Sequence, residues 1–422
     1  MDPFQQLPPE VRLEIMSHIH SHTTLWRLTQ ASPAMWNQYV VSKPALLKRF
    51  ISSLDQVDNN NQELIQDAMA IIRFNESMGN SEKTLFVFDR WLVKCLPLFE
   101  THADITKLHR LFVRNSFFIE DYMTKATSPS PTEAYRSLPN ITFINTINNR
   151  VTLDDLTLAE KYRLFRAFLK VEVLAKIYDP RLKDSMDKDY YRENAQDLLE
   201  DLDSGVHETV PCVYAYVEAS YGSIFAQLGS TCDAKSGSAS TARIKRLLFP
   251  DNLFFSADVR FADIYLPGDC PSLSRWLSCH GLDLLSHALT QTRQTPEIRE
   301  HLRSWLYSIS IELFSPSQSF YGFDDEDVFT HKPFRLSQLF AHHIFAHADI
   351  SLACHLNRTN SAHDIEFGPP MLFQIYQQRA WIFCDNWRLY SVPIDMHFPS
   401  PKDLREQRLR VEDCYFHTSG RE

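Results

Sequence analysis

Glycine is scarce in this chain. Ten glycines in 422 residues is about one in forty, against a usual share near 7%. So few positions can adopt a positive φ at low cost that folds built on many tight β-turns are disfavoured. A mainly α-helical protein is the expectation. The same scarcity removes glycine-lined phosphate loops, and no GxGxxG, GxxxxGK[ST] or GxSxG pattern occurs. The length exceeds the roughly 250–300 residues at which single cores stop growing, so more than one packed unit is expected.

Hydrophobic residues at 44% and charged residues at 23% place the chain among globular proteins and against disorder as its main state. The net charge of −10 is a poor match for generic binding to nucleic acid or to anionic membranes. The first residues, Met1 to Gln6, lack a basic stretch followed by an apolar one, so no secretory signal is read. No 18-residue window is apolar and uncharged enough to span a bilayer. The eight cysteines contain no CxxC pair, and the closest two, Cys270 and Cys279, are widely spaced. Reduced thiols in the cytoplasm or nucleus are the expectation.

The first forty residues read as three short helices. Pro8 and Pro9 suit a helix start, because the N–H groups of the first turn lack acceptors anyway. Glu10 sits where the positive helix end favours a carboxylate. Val11, Ile15 and Ile19 follow as a helical stripe. Thr23 or Thr24 caps a second helix carrying Leu25 and Leu28. Ser32-Pro33 opens a third with Trp36, Tyr39 and Val40, and Pro44 ends it or starts the next segment. A unit of about 40 residues cannot bury much of its own surface. Its apolar face is completed either by the rest of this chain or by a second protein.

Downstream, the pattern stays helical from about Ala45 to Tyr122, with connections at Asn59–Asn61 and Met78–Ser81. Thr157 with Glu160 makes a capping box. It opens a helix carrying Leu164, Phe165, Phe168, Leu169, Val173, Leu174 and Ile177, stopped by Asp179-Pro180. Asp203-Ser204-Gly205 interrupts the next helix. Gly229–Thr241 is a loop rich in small residues, where the large region divides into two lobes. Further helices cover about Ser272–Leu289, Pro296–Leu313 and Leu336–Asn357. The expected organisation is therefore a unit at 1–45 and a large helical region at 46–422.

The run Leu7-Pro8-Pro9-Glu10-Val11-Arg12-Leu13-Glu14-Ile15-Met16 resembles the start of an F-box. Leu25-Trp26-Arg27-Leu28 and Ala31-Ser32-Pro33-Ala34-Met35-Trp36 resemble its second and third helices, in the filamentous-fungal variety. Thr157–Phe168 and Gln378–Leu389 look like segments that recur in large fungal F-box-like chains, with Cys384 where an aromatic is common. The resemblance implies a non-enzymatic substrate receptor without cofactor or metal. Its F-box would bind the Skp adaptor of a cullin–RING ubiquitin ligase, and the helical region would bind a target protein. On that reading Leu7, Pro8, Val11, Ile15, Leu25, Leu28 and Trp36 contact the adaptor. Burying an aliphatic side chain contributes roughly 1.5–3 kcal/mol. Five or six give on the order of 10 kcal/mol against association costs of about 4–15 kcal/mol, so most must act together. The competing reading is a helical scaffold in which this piece is a cap on the chain's own core.

Other constellations carry less. His18, His20 and His22 alternate, and alternate residues diverge on a helix. His343 and His347 sit at i, i+4, with His342, Cys354 and His355 nearby, but lack the glutamate of HExxH. Asp324, Asp325 and Asp327 lack the glycine and terminal glutamate of an EF-hand. Arg243–Arg246 reads as a solvated helix start, and Trp276, Trp305, Trp381 and Trp387 read as core anchors.

Overall fold

The computed structural model describes residues 2–57, 62–77, 80–97, 101–128, 134–135, 137–140, 150–177, 204–229, 273–278, 280–314 and 377–385. Among these the fold is mainly α-helical and holds no strand. Two compact units divide the chain. One holds Met1–Thr124 and Asn140–Ile177, and the other holds Lys125–Pro139 and the described residues from 204 onward. Residues 1–45 thus share a unit with residues up to Thr124 and with Asn140–Ile177, and among described residues the division falls in and after the long helix that ends at Ala126. Residues 230–241, where two lobes were expected to part, lie outside the described residues.

The first unit begins with α1 (Pro9–Ser17), α2 (His22–Ala31) and α3 (Pro33–Val57). Ser21, and not Thr23 or Thr24, caps α2, accepting the Thr24 N–H at 3.3 Å. Ser32 Oγ accepts the Met35 N–H at 3.1 Å at the start of α3. Asp2 reinforces that end, taking the Ala34 N–H at 3.0 Å and the Ser32 hydroxyl at 2.7 Å. Those two donors hold the Asp2 carboxyl below the usual range.

Pro44 does not end α3. The helix runs 25 residues through it. Proline removes the hydrogen bond to the carbonyl four residues back and crowds that carbonyl. That carbonyl belongs to Val40, which lies on the solvent side, where water can replace the lost donor. The continuous helix then carries the leading trio into the body. There α4 (Glu63–Ser77) packs on α5 (Ser81–Leu92) and on α7 (Leu158–Ile177), while α6 (His102–Ala126) lies between α5 and α7 in sequence. Phe50 of α3, Phe112 of α6 and Phe165 of α7 meet with ring centroids 5.4–6.2 Å apart, a spacing at which aromatic pairs attract.

Helix α7 starts at the expected capping box. Thr157 N–H donates to Glu160 Oε2 at 2.9 Å, and Glu160 N–H donates to Thr157 Oγ1 at 3.2 Å. Its apolar residues Leu164, Phe165, Phe168, Leu169, Val173, Leu174 and Ile177 are all buried. The helix is central enough to bury charges as well. Lys170 Nζ sits 2.8 Å from Asp67 and 3.4 Å from Glu63, and 5.3 Å above the Trp91 ring. Trp91 Nε1 donates to Asp67 at 2.8 Å. Burial works to lower the lysine's proton affinity, but the two carboxylates outweigh it and hold Lys170 above its ordinary value.

In the second unit α8 (Ser204–Gly229) packs against α9 (Leu273–Ser278) and α10 (Gly281–Thr292), and α10 against α11 (Pro296–Phe314). Arg379, fully buried, donates to the carbonyls of Ala126 and Ser128 at 3.0 and 2.9 Å. A cation there satisfies acceptors that the end of α6 leaves open. Burial pushes this guanidinium down to about 10.

Breaking the Asp67–Lys170 pair should be costly because one buried charge loses its main partner. Asp67→Ala is expected to lower stability by about 3–5 kcal/mol. Trp91→Phe, which removes one hydrogen bond, should cost about 1–2 kcal/mol. Urea unfolding of both variants checks the contrast.

Candidate functional site

The leading trio has an inner and an outer side. Inside, Met16 (1% exposed), Leu25, Met35 and Tyr39 form a core, with Phe4, Ile15, Ile19, Leu28 and Leu46 packed against it. Met16, absent from the expected Val11–Ile15–Ile19 stripe, is the residue of α1 that faces the centre. Helix α1 ends at Ser17, so Ile19 lies beyond it. Outside, Val11 is 42% exposed, Trp36 38%, Val40 49% and Val41 79%.

The seven residues expected to touch a partner are therefore divided. Pro8, Val11 and Trp36 are exposed; Leu7, Ile15 and Leu28 are half-buried; Leu25 is buried in the trio's own core. Leu25 is thus an internal residue, and its expected place on the outer surface is corrected. Arg12 Nη1 donates to the Ala34 carbonyl at 3.4 Å, so α1 and α3 run alongside each other. Trp36 stands edge-on to Trp26 with centroids 5.9 Å apart.

Helix α3 explains why this surface is open. Trp36, Val40, Leu47, Ile51 and Leu54 fall within about 60° of one another at 100° per residue. They make one stripe. Leu47, Ile51 and Leu54 are buried at the end where α3 packs on α7. Trp36 and Val40, nearer its start, are left uncovered. Val41, on another face, is the most exposed of the set.

Two carboxylates, Glu120 and Asp154, fasten the trio to the body. Glu120 of α6 accepts the hydroxyls of Ser21 at 2.5 Å and Thr23 at 3.0 Å, and the Leu153 N–H at 3.2 Å. Arg150 lies 3.2 Å from the same carboxylate. Burial pushes the Glu120 carboxyl up, and Arg150 and the three donors only partly offset it. Asp154 accepts the N–H groups of His20 and Ser21 at 2.6 and 3.1 Å. Nothing local in the sequence marks Glu120, because its partners lie about a hundred residues away at the start of α2 and thirty or more residues further on.

The alternating histidines diverge, because they span the link between α1 and α2 and share no helix. His18 pairs with Glu14 on the surface at 3.2 Å, and His20 Nδ1 meets Lys161 Nζ at 2.8 Å. His22 stands edge-on to His109 of α6 with centroids 5.1 Å apart. Among the described residues no three His, Cys, Asp or Glu side chains are grouped to hold a metal ion. His342, His343, His347, Cys354, His355, Asp324, Asp325, Asp327, Arg243–Arg246 and Trp387 lie outside the described residues. The backbone of Trp276 lies in α9, and Trp305 and Trp381 are half-buried. No helix among the described residues is long and apolar enough to cross a membrane.

Comparison with protein-family models, with curated proteins and with solved structures yields no match.

The histidine seam has a pH consequence. Burial, with Lys43 nearby, pushes His22 down to about 3 and His109 to about 4. Both are neutral in the folded chain at pH 7, while the unfolded chain binds protons near pH 6.5. Their contribution is complete above about pH 6.5 and falls as the pH drops toward their folded values. Between pH 7 and 5 each histidine should remove up to about 2 kcal/mol. Urea midpoints should fall over that range, and less steeply in a His22→Asn/His109→Gln double variant.

Proposed function

We propose that this chain is a substrate receptor of a Skp–cullin–F-box type ubiquitin ligase. Its leading trio docks the Skp adaptor through Leu7, Pro8, Val11 and Trp36, joined by Val40 and Val41. The helical remainder presents a surface to the protein that is to be modified. The receptor itself carries out no chemistry. It uses no cofactor or metal, and it binds neither nucleic acid nor membrane. Its place of action is the cytoplasm or the nucleus, where the ligase works.

One observation carries the reading: large apolar side chains stay exposed on α1 and α3 although the body buries the downstream half of the same α3 stripe. Monomeric proteins expose scattered apolar residues routinely, but a group of them on adjoining helices marks an interaction surface. Supporting it are the F-box-like order of Leu7-Pro8, Glu10 and the three helices that follow.

A second reading has its own observation. Ser21, Thr23 and the Asp154 contacts bind the α1–α2 corner into the body. A scaffold that uses the trio as a cap would need such fastening and no adaptor. The two readings part on binding. In titration calorimetry of the purified chain with the Skp adaptor, the receptor reading expects a saturable complex. Val11→Asp and Val40→Asp, both at exposed sites, should each weaken it about tenfold or more, the effect of losing about 1.4 kcal/mol. An unchanged far-UV circular dichroism spectrum would show that the variants still fold. Absence of binding, or equal binding by the variants, would favour the scaffold.

A further inference from the structure

Between the trio and α6 lies a cleft lined by polar groups from His20, His22, Tyr39, Lys43, His109 and Ser116 over an apolar floor. Its open space of about 40 Å³ holds about three waters, since one water needs about 10–15 Å³. That is the scale of a carboxylate or of one face of a sulfate. Among the described residues no Asp or Glu lines it, although the chain carries a net charge of −10.

Among the described residues that line it, Lys43 carries the fixed charge. Among the described residues Lys43 makes no ion pair; its ammonium rests 5.0 Å over the Tyr39 ring. It faces both His22 and His109, and Arg110 also faces His109. The Tyr39 hydroxyl lies 3.2 Å from His109 Nε2. His20 is taken by Lys161, with Asp154 and His18 on its other sides. The nearby Glu120 is directed to Ser21, Thr23 and Arg150 and is not part of the lining. His22 is the first residue of α2, where the helix dipole adds positive potential. His22 has a ring contact with His109 and no hydrogen-bond partner on its imidazole among the described residues. A concavity of one sign with low-dielectric walls concentrates the opposite charge.

We propose that this cleft binds a small oxyanion, with the Lys43 ammonium as the fixed charge and the imidazoles of His22 and His109 and the Tyr39 hydroxyl as donors. Because these residues come from α2, α3 and α6, an anion seated there bridges the trio to the body. Its negative charge also favours protonation of the two histidines, so binding takes up protons. One proton taken up per anion makes affinity rise about tenfold for each unit of pH lowered. The inference is independent of adaptor binding.

The test uses the full chain and sulfate, whose charge is constant between pH 5 and 8, with acetate as a carboxylate arm and sodium chloride at matched ionic strength. The Cε1–H resonances of His22 and His109, assigned with His22→Asn and His109→Gln, are followed at pH 6. Expected are saturable shifts with sulfate or acetate, a titration midpoint raised for both histidines, and affinity weakened at least tenfold in Lys43→Met. Lys43→Gln serves as a second variant if the first does not fold. Response to sulfate alone assigns a tetrahedral oxyanion, and response to acetate alone assigns a carboxylate. Shifts no larger than those with chloride would overturn the proposal, as would equal affinity in the lysine variants.

Discussion

The first unit depends on α3 being one helix. Its opening turns supply the third member of the trio, and its closing turns supply Phe50, Ile51 and Leu54 to the core beneath α7. Because the backbone does not break at Pro44, the two halves are mechanically one element. The trio is therefore joined to the body by helix and not by a loop. Where it points is set by the aromatic contacts of Phe50 with Phe112 and Phe165. The Glu120 carboxylate then fixes the other end of the trio, taking donors from both sides of the α2 start.

This construction gives the trio a divided character. A small helical unit cannot enclose its own apolar surface. Here the chain encloses one part, around Met16, Leu25, Met35 and Tyr39, and leaves another, around Val11, Trp36, Val40 and Val41. The body buries α3 only as far along as α7 packs on it. The division is thus geometric, and the uncovered end is what a partner could seal. The cleft beside Lys43 lies on the enclosed side, so an anion there and a partner on the outer side would not compete for the same residues.

Much of the helical architecture was legible in the residues. The box of Thr157 and Glu160 and the unbroken apolar pattern after it located α7, since a reciprocal cap and a central burial both leave local marks. The helical stretches after Ser272 and Pro296 were legible from their composition, but not the division of the first into α9 and α10. The run through Pro44 was not, because proline is an average breaker, and the solvent position of Val40, which eases it here, is a tertiary fact. Met16 was missed because a short helix can offer more than one stripe, and the packing partners Leu25 and Met35 decide between them. Leu25 was placed outside for the same reason. Glu120 and the His22–His109 seam depend on residues far apart in the chain, and no local pattern reports such a pairing.

Hydrogen–deuterium exchange of the full chain, with and without the Skp adaptor, tests the central claim most directly. The account predicts slowed exchange confined to residues 7–12 and 34–41, with α7 and the Glu120 corner unchanged. Exchange identical in both samples, or protection appearing only outside the trio, would contradict it.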